Sequence, residues 1–202
     1  MTKYEIISVT ISSIGLISLF LIWWQIKSTQ KQTHADHERS RRQMTIDLMM
    51  KWTETLSPKT GGARKIVESL DDENCKKIYF IESAKVPKSQ KTLLEGVLDK
   101  KDLTEQNGYF EITDFESSVI RGLVLTYLNA LETVLTGWRL SVSDKQIIEE
   151  EFSYLYEKEK QKGVLHNFRS IAGVHSYPSI AAFCECLEKK HSKGIEVKEN
   201  VA

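Results

Sequence analysis

From Ile6 to Ile26 the chain runs for 21 residues without a charged side chain, between Glu5 and Lys27. About 20 apolar residues in a helix cross the hydrocarbon core of a bilayer, so this run is predicted to be a transmembrane helix. Its centre, IGLISLFLIWW, is dense in Ile, Leu, Phe and Trp. The Ser and Thr hydroxyls of the run can bond back to their own helix backbone. It ends in Trp-Trp-Gln-Ile-Lys rather than in the small residues of a leader cleavage site, so the segment is expected to be retained. Lys3 precedes the run, whereas Lys27, Lys31, Arg39, Arg41 and Arg42 follow it. Cytoplasmic flanks carry the excess of Lys and Arg. The expected arrangement is therefore a single pass through the membrane, N-terminus outside and the rest in the cytoplasm. Trp23, Trp24 and Lys27 then lie at the inner headgroup level.

One stripe of this span carries small and polar residues. Ser8, Gly15 and Ile22 fall seven apart, with Ile11, Ser18 and Gln25 between them. Such a stripe lets helices approach closely and hydrogen-bond in lipid. Ser8, Gly15, Ser18 and Gln25 are thus candidate contacts of a homo-oligomer, set against simple tolerance of small residues there.

Between Lys27 and Leu56 there is neither Gly nor Pro, and Met44, Leu48, Trp52 and Leu56 recur every four residues. That spacing predicts one helix continuing from the span and stopped by Ser57-Pro58 and Gly61-Gly62. At 1.5 Å per residue it would extend about 76 Å. Its polar section, Ser28–Gln43, reads as a solvated stalk in preference to a coiled seam with polar contacts.

Residues 57–112 carry weaker signals. Short helices are expected over Ala63–Leu70 and Ser89–Asp99, with loops around Pro87 and at Asn107-Gly108; residues 79–81 suggest a strand without a partner. Thr113-x-x-Glu116 is a capping box. Phe115, Val119, Leu123, Tyr127, Leu131, Val134 and Trp138 follow at helical spacing, which marks the central helix. Its longest uncharged run, Gly122–Leu131, has 10 residues, too few for a span. Ser143-x-x-Gln146 opens a further helix with Ile148, Phe152, Leu155 and Tyr156 inward, closing on Lys158, Lys160, Lys162 and Gly163. Leu165, Phe168 and Ile171 predict a short helix. Pro178 starts a last one, with Ile180, Phe183, Cys184 and Leu187 inward and a stop at Gly194. The fold class is all-α. The expected layout is an outer N-terminus and span over 1–26, a stalk over 27–56, a cytoplasmic helical domain over 57–194, and a flexible tail over 195–202.

This layout, with Arg42-Gln43-Met44-Thr45 leading to Leu48 and Trp52, resembles a bacterial family of single-pass, all-helical membrane proteins of uncharacterised function. The second block of the resemblance is Tyr127-x-Asn129-x-Leu131-Glu132, followed by Phe168-Arg169 and a C-terminal helix; residues 57–112 stand outside it. Members are often met in phage-defence or mobile-element settings, which implies a defence role. The family supplies no catalytic residues to transfer.

Direct nucleic-acid binding is not expected, because 28 Lys and Arg balance 28 Asp and Glu and leave no basic field. The sequence contains no G-x-G-x-x-G, Walker loop, G-x-S-x-G or H-E-x-x-H motif. No cofactor or metal is expected. Cys184 and Cys186 point to different helix faces, and His34 and His37 sit one turn apart on a polar stalk that explains them without a metal. Asn129 and Glu132 lie three apart on the central helix, where a buried carboxylate needs a cation or several donors. Arg169 or Arg42 would supply the cation, either as a structural network or as a ligand pocket. His166, Asn167, Phe168 and Arg169, with His175 and Tyr177, present donors suited to a phosphate. The leading expectation is a non-enzymatic membrane protein whose helical domain binds a protein partner or ligand. One alternative is an oligomeric effector that perturbs the membrane on binding a signalling nucleotide. The other is a membrane-tethered hydrolase using His166 or His175.

Overall fold

A computed structural model describes residues 3–101, 103–157, 162–173 and 176–199, with residues 3, 5–14, 16, 157, 162, 191 and 193–199 described by backbone alone. The chain divides into two units, residues 1–43 and 44–202. Helix accounts for 76% of the structure, in eight α-helices among the described residues.

The first unit is helical from Lys3 and belongs to α1, which runs Lys3–Thr55. Its side chains from Ile17 onward are exposed, among them Leu19, Phe20, Trp23, Trp24 and Ile26, each more than half accessible. Lys27 Nζ lies 4.6 Å from the centroid of the Trp23 ring, a cation–π contact.

The second unit holds the end of α1 and the elements that follow it. Here Thr45 and Trp52 are buried, with Leu48, Met49 and Leu56 packed against the core. Met44, expected on the same stripe, is exposed. Ser57 caps α2 (Pro58–Glu68) in a capping box with Thr60, and Pro58 takes the first turn. Gly61 and Gly62, expected as a stop, are inside α2. A Cβ on Gly62 would come within 2.8 Å of Val97 Cγ2, so glycine there permits the close approach of α2 to α4 (Lys91–Leu98).

The region expected as loops holds a small sheet. Helix α3 (Asp72–Tyr79) ends where residues 79–81 suggested a strand. Three strands follow, β1 (Ala84–Pro87), β2 (Glu105–Gln106) and β3 (Tyr109–Ile112), antiparallel in the order β1-β3-β2. Asn107 (φ +53°) and Gly108 (φ +82°) form the two-residue connection that pairs Gln106 with Tyr109. Both residues adopt positive φ readily, which is what a tight hairpin turn requires. In β3, Phe110 and Ile112 are buried while Tyr109 and Glu111 are exposed, the two-residue alternation of a half-buried strand.

Helix α5 (Asp114–Arg139) is the centre of the domain. Thr113 caps it, with Glu116 closing the capping box. Its buried face is Ile120, Val124, Tyr127, Leu128, Leu131, Val134, Leu135 and Trp138. Phe115, expected on that face, is 77% exposed. Helices α2, α3, α4 and α8 (Pro178–Glu199) pack around α5, joined by α6 (Lys145–Glu151). By length and composition α5 could cross a membrane, but its apolar face is taken up by these neighbours.

Asp144, not Ser143, caps α6; its carboxylate accepts from the amides of Gln146 and Ile147. The helix stops at Glu151. The chain then turns through Ser153–Leu155 into β4 (Tyr156–Glu157), which pairs with β5 (Lys162–Gly163). Lys158 and Lys160, expected to close the helix, lie outside the described residues. Helix α7 (His166–Ala172) follows, and α8 continues past Gly194 to Glu199, so residues 195–199 are helical. Edge-to-face rings tie the domain together: Trp52 on Tyr127 and Phe152, Tyr79 on Phe168, and Trp138 on Phe183, with centroids 5.0–5.4 Å apart.

Glu116 links this packing to pH. Burial alone would raise its pKa, but the Thr113 amide and hydroxyl and the Lys100 ammonium hold it below the ordinary value. A carboxylate depressed in the folded state stabilises the fold above its unfolded pKa, and that stability is lost as pH falls through the folded one. Urea denaturation between pH 7 and 3 should therefore show stability falling through the carboxylate range, with a shallower fall in Glu116→Gln. Equal slopes in the two proteins would show that this carboxylate carries none of the effect.

Candidate functional site

The polar residues of the C-terminal half converge on α5 in two places. In the first, Glu132 on α5 accepts hydrogen bonds from the backbone amides of Ser179 (2.8 Å) and Ile180 (3.0 Å) at the start of α8. Those amides lack partners within their own helix, and the helix dipole favours a negative charge beside them. The Thr136 hydroxyl donates to the Glu132 carbonyl (2.7 Å) and sits 2.9 Å from Ser179 Oγ. With its proton committed, Thr136 accepts from Ser179. Glu132 thus caps α8 through its side chain, while its charge also acts on Arg169. Arg169 Nε donates to the Val164 carbonyl at 2.9 Å. Burial lowers the Arg169 pKa, with Cys184 and Glu132 acting in the opposite direction.

The second place is a cavity of about 130 Å³ between α2, α3, residues 154–155 and residues 163–168. Arg64 and Glu68, one turn apart on α2, come within 3.8 Å at side-chain exposures of 19% and 18%. The Arg64 guanidinium stacks 5.5 Å from the Tyr127 ring centroid and donates to the Tyr127 hydroxyl at 3.5 Å. Burial pulls the Arg64 pKa down, but Tyr127 and Glu68 more than offset it, and the net direction is up. Burial pushes the Tyr127 and Tyr154 phenols up as well. Arg64 is therefore a permanent cation beside neutral phenols.

The far wall is set by the chain's return from β5. The Val164 amide donates to the Leu155 carbonyl at 2.9 Å. Leu165 then takes φ +49°, an uncommon conformation for a residue with a side chain, held while that side chain is 97% removed from solvent. The turn puts His166 and Asn167 on the cavity wall and Phe168 in the core. Beyond His166 and Asn167 an open groove continues over Asp72, Lys76 and Phe80.

Of the segment singled out from sequence as a source of donors, His166, Asn167 and Phe168 line this cavity, and His166 is otherwise exposed. Asn129, expected in apolar surroundings, is exposed on an open groove with Trp52 and Thr126. Arg42 is exposed on α1, as are Gly15, Ser18, Trp23, Trp24 and Gln25. Ser8 is described by backbone alone, and His175 lies outside the described residues. Arg64, Glu68 and Tyr154 were not anticipated; the four-residue spacing of Arg64 and Glu68 was the available signal. Among the described residues no group of three or more His, Cys, Asp or Glu is placed to hold a metal. His34 instead lies 3.6 Å from Glu38 on the exposed helix. Burial pushes the Cys75 thiol, on the cavity floor, up to about 12, so it is no nucleophile at neutral pH.

Hydrogen bonds to a charged group contribute about 1.5–3 kcal/mol each. With one carboxylate serving two amides, Glu132→Ala should lower unfolding free energy by about 2–4 kcal/mol in urea titration, and Glu132→Gln by roughly half as much. Loss below about 0.5 kcal/mol in the alanine variant would remove Glu132 as the anchor of α8.

Compared with known proteins, the chain matches no family model, no curated protein and no solved structure.

Proposed function

We propose that this chain is a non-enzymatic, single-pass inner-membrane protein whose cytoplasmic helical domain binds a small ligand or protein partner. Residues 6–26 cross the membrane with the N-terminus outside, and the spans associate into a homo-oligomer. The observation that carries the reading is the bare apolar face of α1. Ile17, Leu19, Phe20, Leu21, Ile22, Trp23, Trp24 and Ile26 each stand at 52–64% exposure, in the same stretch that lacks charge. A run of this size in water is unfavourable by about 25 cal/mol for each Å² of apolar surface, and lipid covers it. The Trp23–Lys27 contact suits the headgroup layer, where aromatic rings and Lys ends collect. The cavity beside Arg64 supports the binding role, and the resemblance noted from the sequence favours a setting in antiphage defence or stress signalling.

Topology is read with single cysteines in a chain whose Cys75, Cys184 and Cys186 are serine. In intact cells a membrane-impermeant maleimide should label Thr2→Cys, while Lys101→Cys should label only after lysis. Recovery of the protein in the soluble fraction, or the reverse labelling, defeats the reading.

Self-association is read separately. Cysteines at Ser8, Gly15 and Ile22 should crosslink between copies in membranes more than cysteines at Val9, Ser13 and Phe20. Equal yields on the two faces would leave the stripe without a role.

A further inference from the structure

Past residue 43, α1 carries apolar side chains on two sides, and its own domain covers one of them; the inference rests on the homo-oligomer reading of the span. Trp52 is buried and Leu48, Met49 and Leu56 pack against the core, whereas Ile46 and Met50 are 54% and 57% exposed. Ile147 of α6, 42% exposed, lines an open groove with them. Grouped apolar exposure of this kind marks an interaction surface, and Met is among the residues enriched at interfaces.

Sequence register names the occupant of this face. Helix α1 runs unbroken from Lys3 to Thr55, and helices that supercoil in parallel meet through two positions in every seven residues. In the span, Gly15 and Ile22 hold one such position, and Ser18 and Gln25 the other. Counting on in sevens from Ile22 reaches Asp36, Gln43 and Met50, and from Gln25 it reaches Arg39, Ile46 and Thr53. Both exposed apolar residues therefore fall on the register of the stripe. Leu48, Met49, Trp52 and Leu56, which pack into the domain, all fall off it. Charge suits the same partner. Asp36 and Arg39, both exposed, are opposite in sign and three apart on this register. Each knob of a parallel seam sits in a hole formed by residues of the facing helix, so Asp36 of one copy meets Arg39 of the next. Copies anchored by the same span also arrive in parallel and at the same height. Helices in lipid have no hydrophobic drive to associate; Ile46 and Met50 supply one in water.

We propose that a second copy of this chain packs in parallel along α1 outside the membrane, with Ile46 and Met50 as the apolar contact and Asp36 pairing with Arg39 between copies.

The test uses the full-length chain in membranes, with its native cysteines replaced by serine and single cysteines crosslinked by an oxidant. Ile46→Cys and Met50→Cys should form dimers in higher yield than Met44→Cys and Lys51→Cys, exposed residues off the register. In the Met50→Cys chain, Ile46→Ser should lower the dimer yield by about tenfold or more. Asp36→Arg sets like charges against each other and should lower it by about threefold, and adding Arg39→Asp should restore it. These charge variants lie on an exposed part of α1, outside the packed domain, so they stand even if Ile46→Ser disturbs folding. Equal yields at the four cysteine positions overturn the proposal, as does a Met50→Cys yield indifferent to Asp36→Arg. A Met50→Cys adduct with a protein of another mass, in place of the dimer, also overturns it. Crosslinking within the span but not at Ile46→Cys and Met50→Cys removes this contact and leaves the oligomer standing; absence of both removes the oligomer as well.

Discussion

Glu132 places a negative charge where α8 presents free amides, and the C-terminal half of the domain is assembled around that placement. Two backbone donors at Ser179 and Ile180 meet one carboxylate, and the Thr136–Ser179 hydroxyl contact fixes the approach. Once α8 is docked on α5, Phe183 reaches Trp138 edge-on, with centroids 5.0 Å apart. Cys184 then lies against Gly163, where a Cβ would come within 2.4 Å of its sulfur. The β4–β5 pair is thereby held close to α8, and the chain leaving it turns at Leu165 into the cavity wall. A helix cap about 50 residues away in sequence from its helix is therefore an early link in the geometry of the candidate site.

Much of the helical framework was legible because its signals are local. The Thr113–Glu116 box, Pro58 and Pro178 at first turns, and the spacing that buries Trp52 each depend on a few neighbouring residues. The sheet was less legible because its strands are four residues or fewer, too short to establish a period, and β1 pairs with β3 across an intervening helix. Even so, Asn107-Gly108 was a hairpin signal and the alternation in Tyr109–Ile112 was a strand signal. Ser143 misled as a cap since the hydroxyl and the neighbouring Asp144 carboxylate offer the same chemistry one residue apart. The carboxylate takes the amides, and Ser143 Oγ is left buried without a partner among the described residues.

The candidate site was legible only at its rim. His166 and Asn167 stand together in the sequence, whereas Arg64 and Glu68 come from α2, about 100 residues earlier. No local pattern joins the two. They meet only in the fold, where all four line one cavity and the Tyr127 ring holds Arg64. The hydrogen-bond partners of Glu132 escaped notice for a related reason. Charge pairing was sought among side chains, but the partner is backbone, and every sequence has amides at a helix start.

Among the described residues α5 is long and apolar enough to cross a membrane, and the sequence predicts a span over residues 6–26; side-chain chemistry separates the two. In α5, Arg121 and Glu132 border the uncharged run, and Glu132 is needed where it stands, against the amides of α8. Moving α5 into lipid would bury that carboxylate without its donors and strip Leu128, Leu131 and Leu135 from neighbours that already cover them. In the N-terminal part of α1 neither obstacle exists. The run from Ile6 to Ile26 has no charge to desolvate, and its side chains from Ile17 onward are exposed. Transfer of α1 into hydrocarbon therefore removes apolar surface from water at little polar cost, whereas transfer of α5 would dismantle the domain's core.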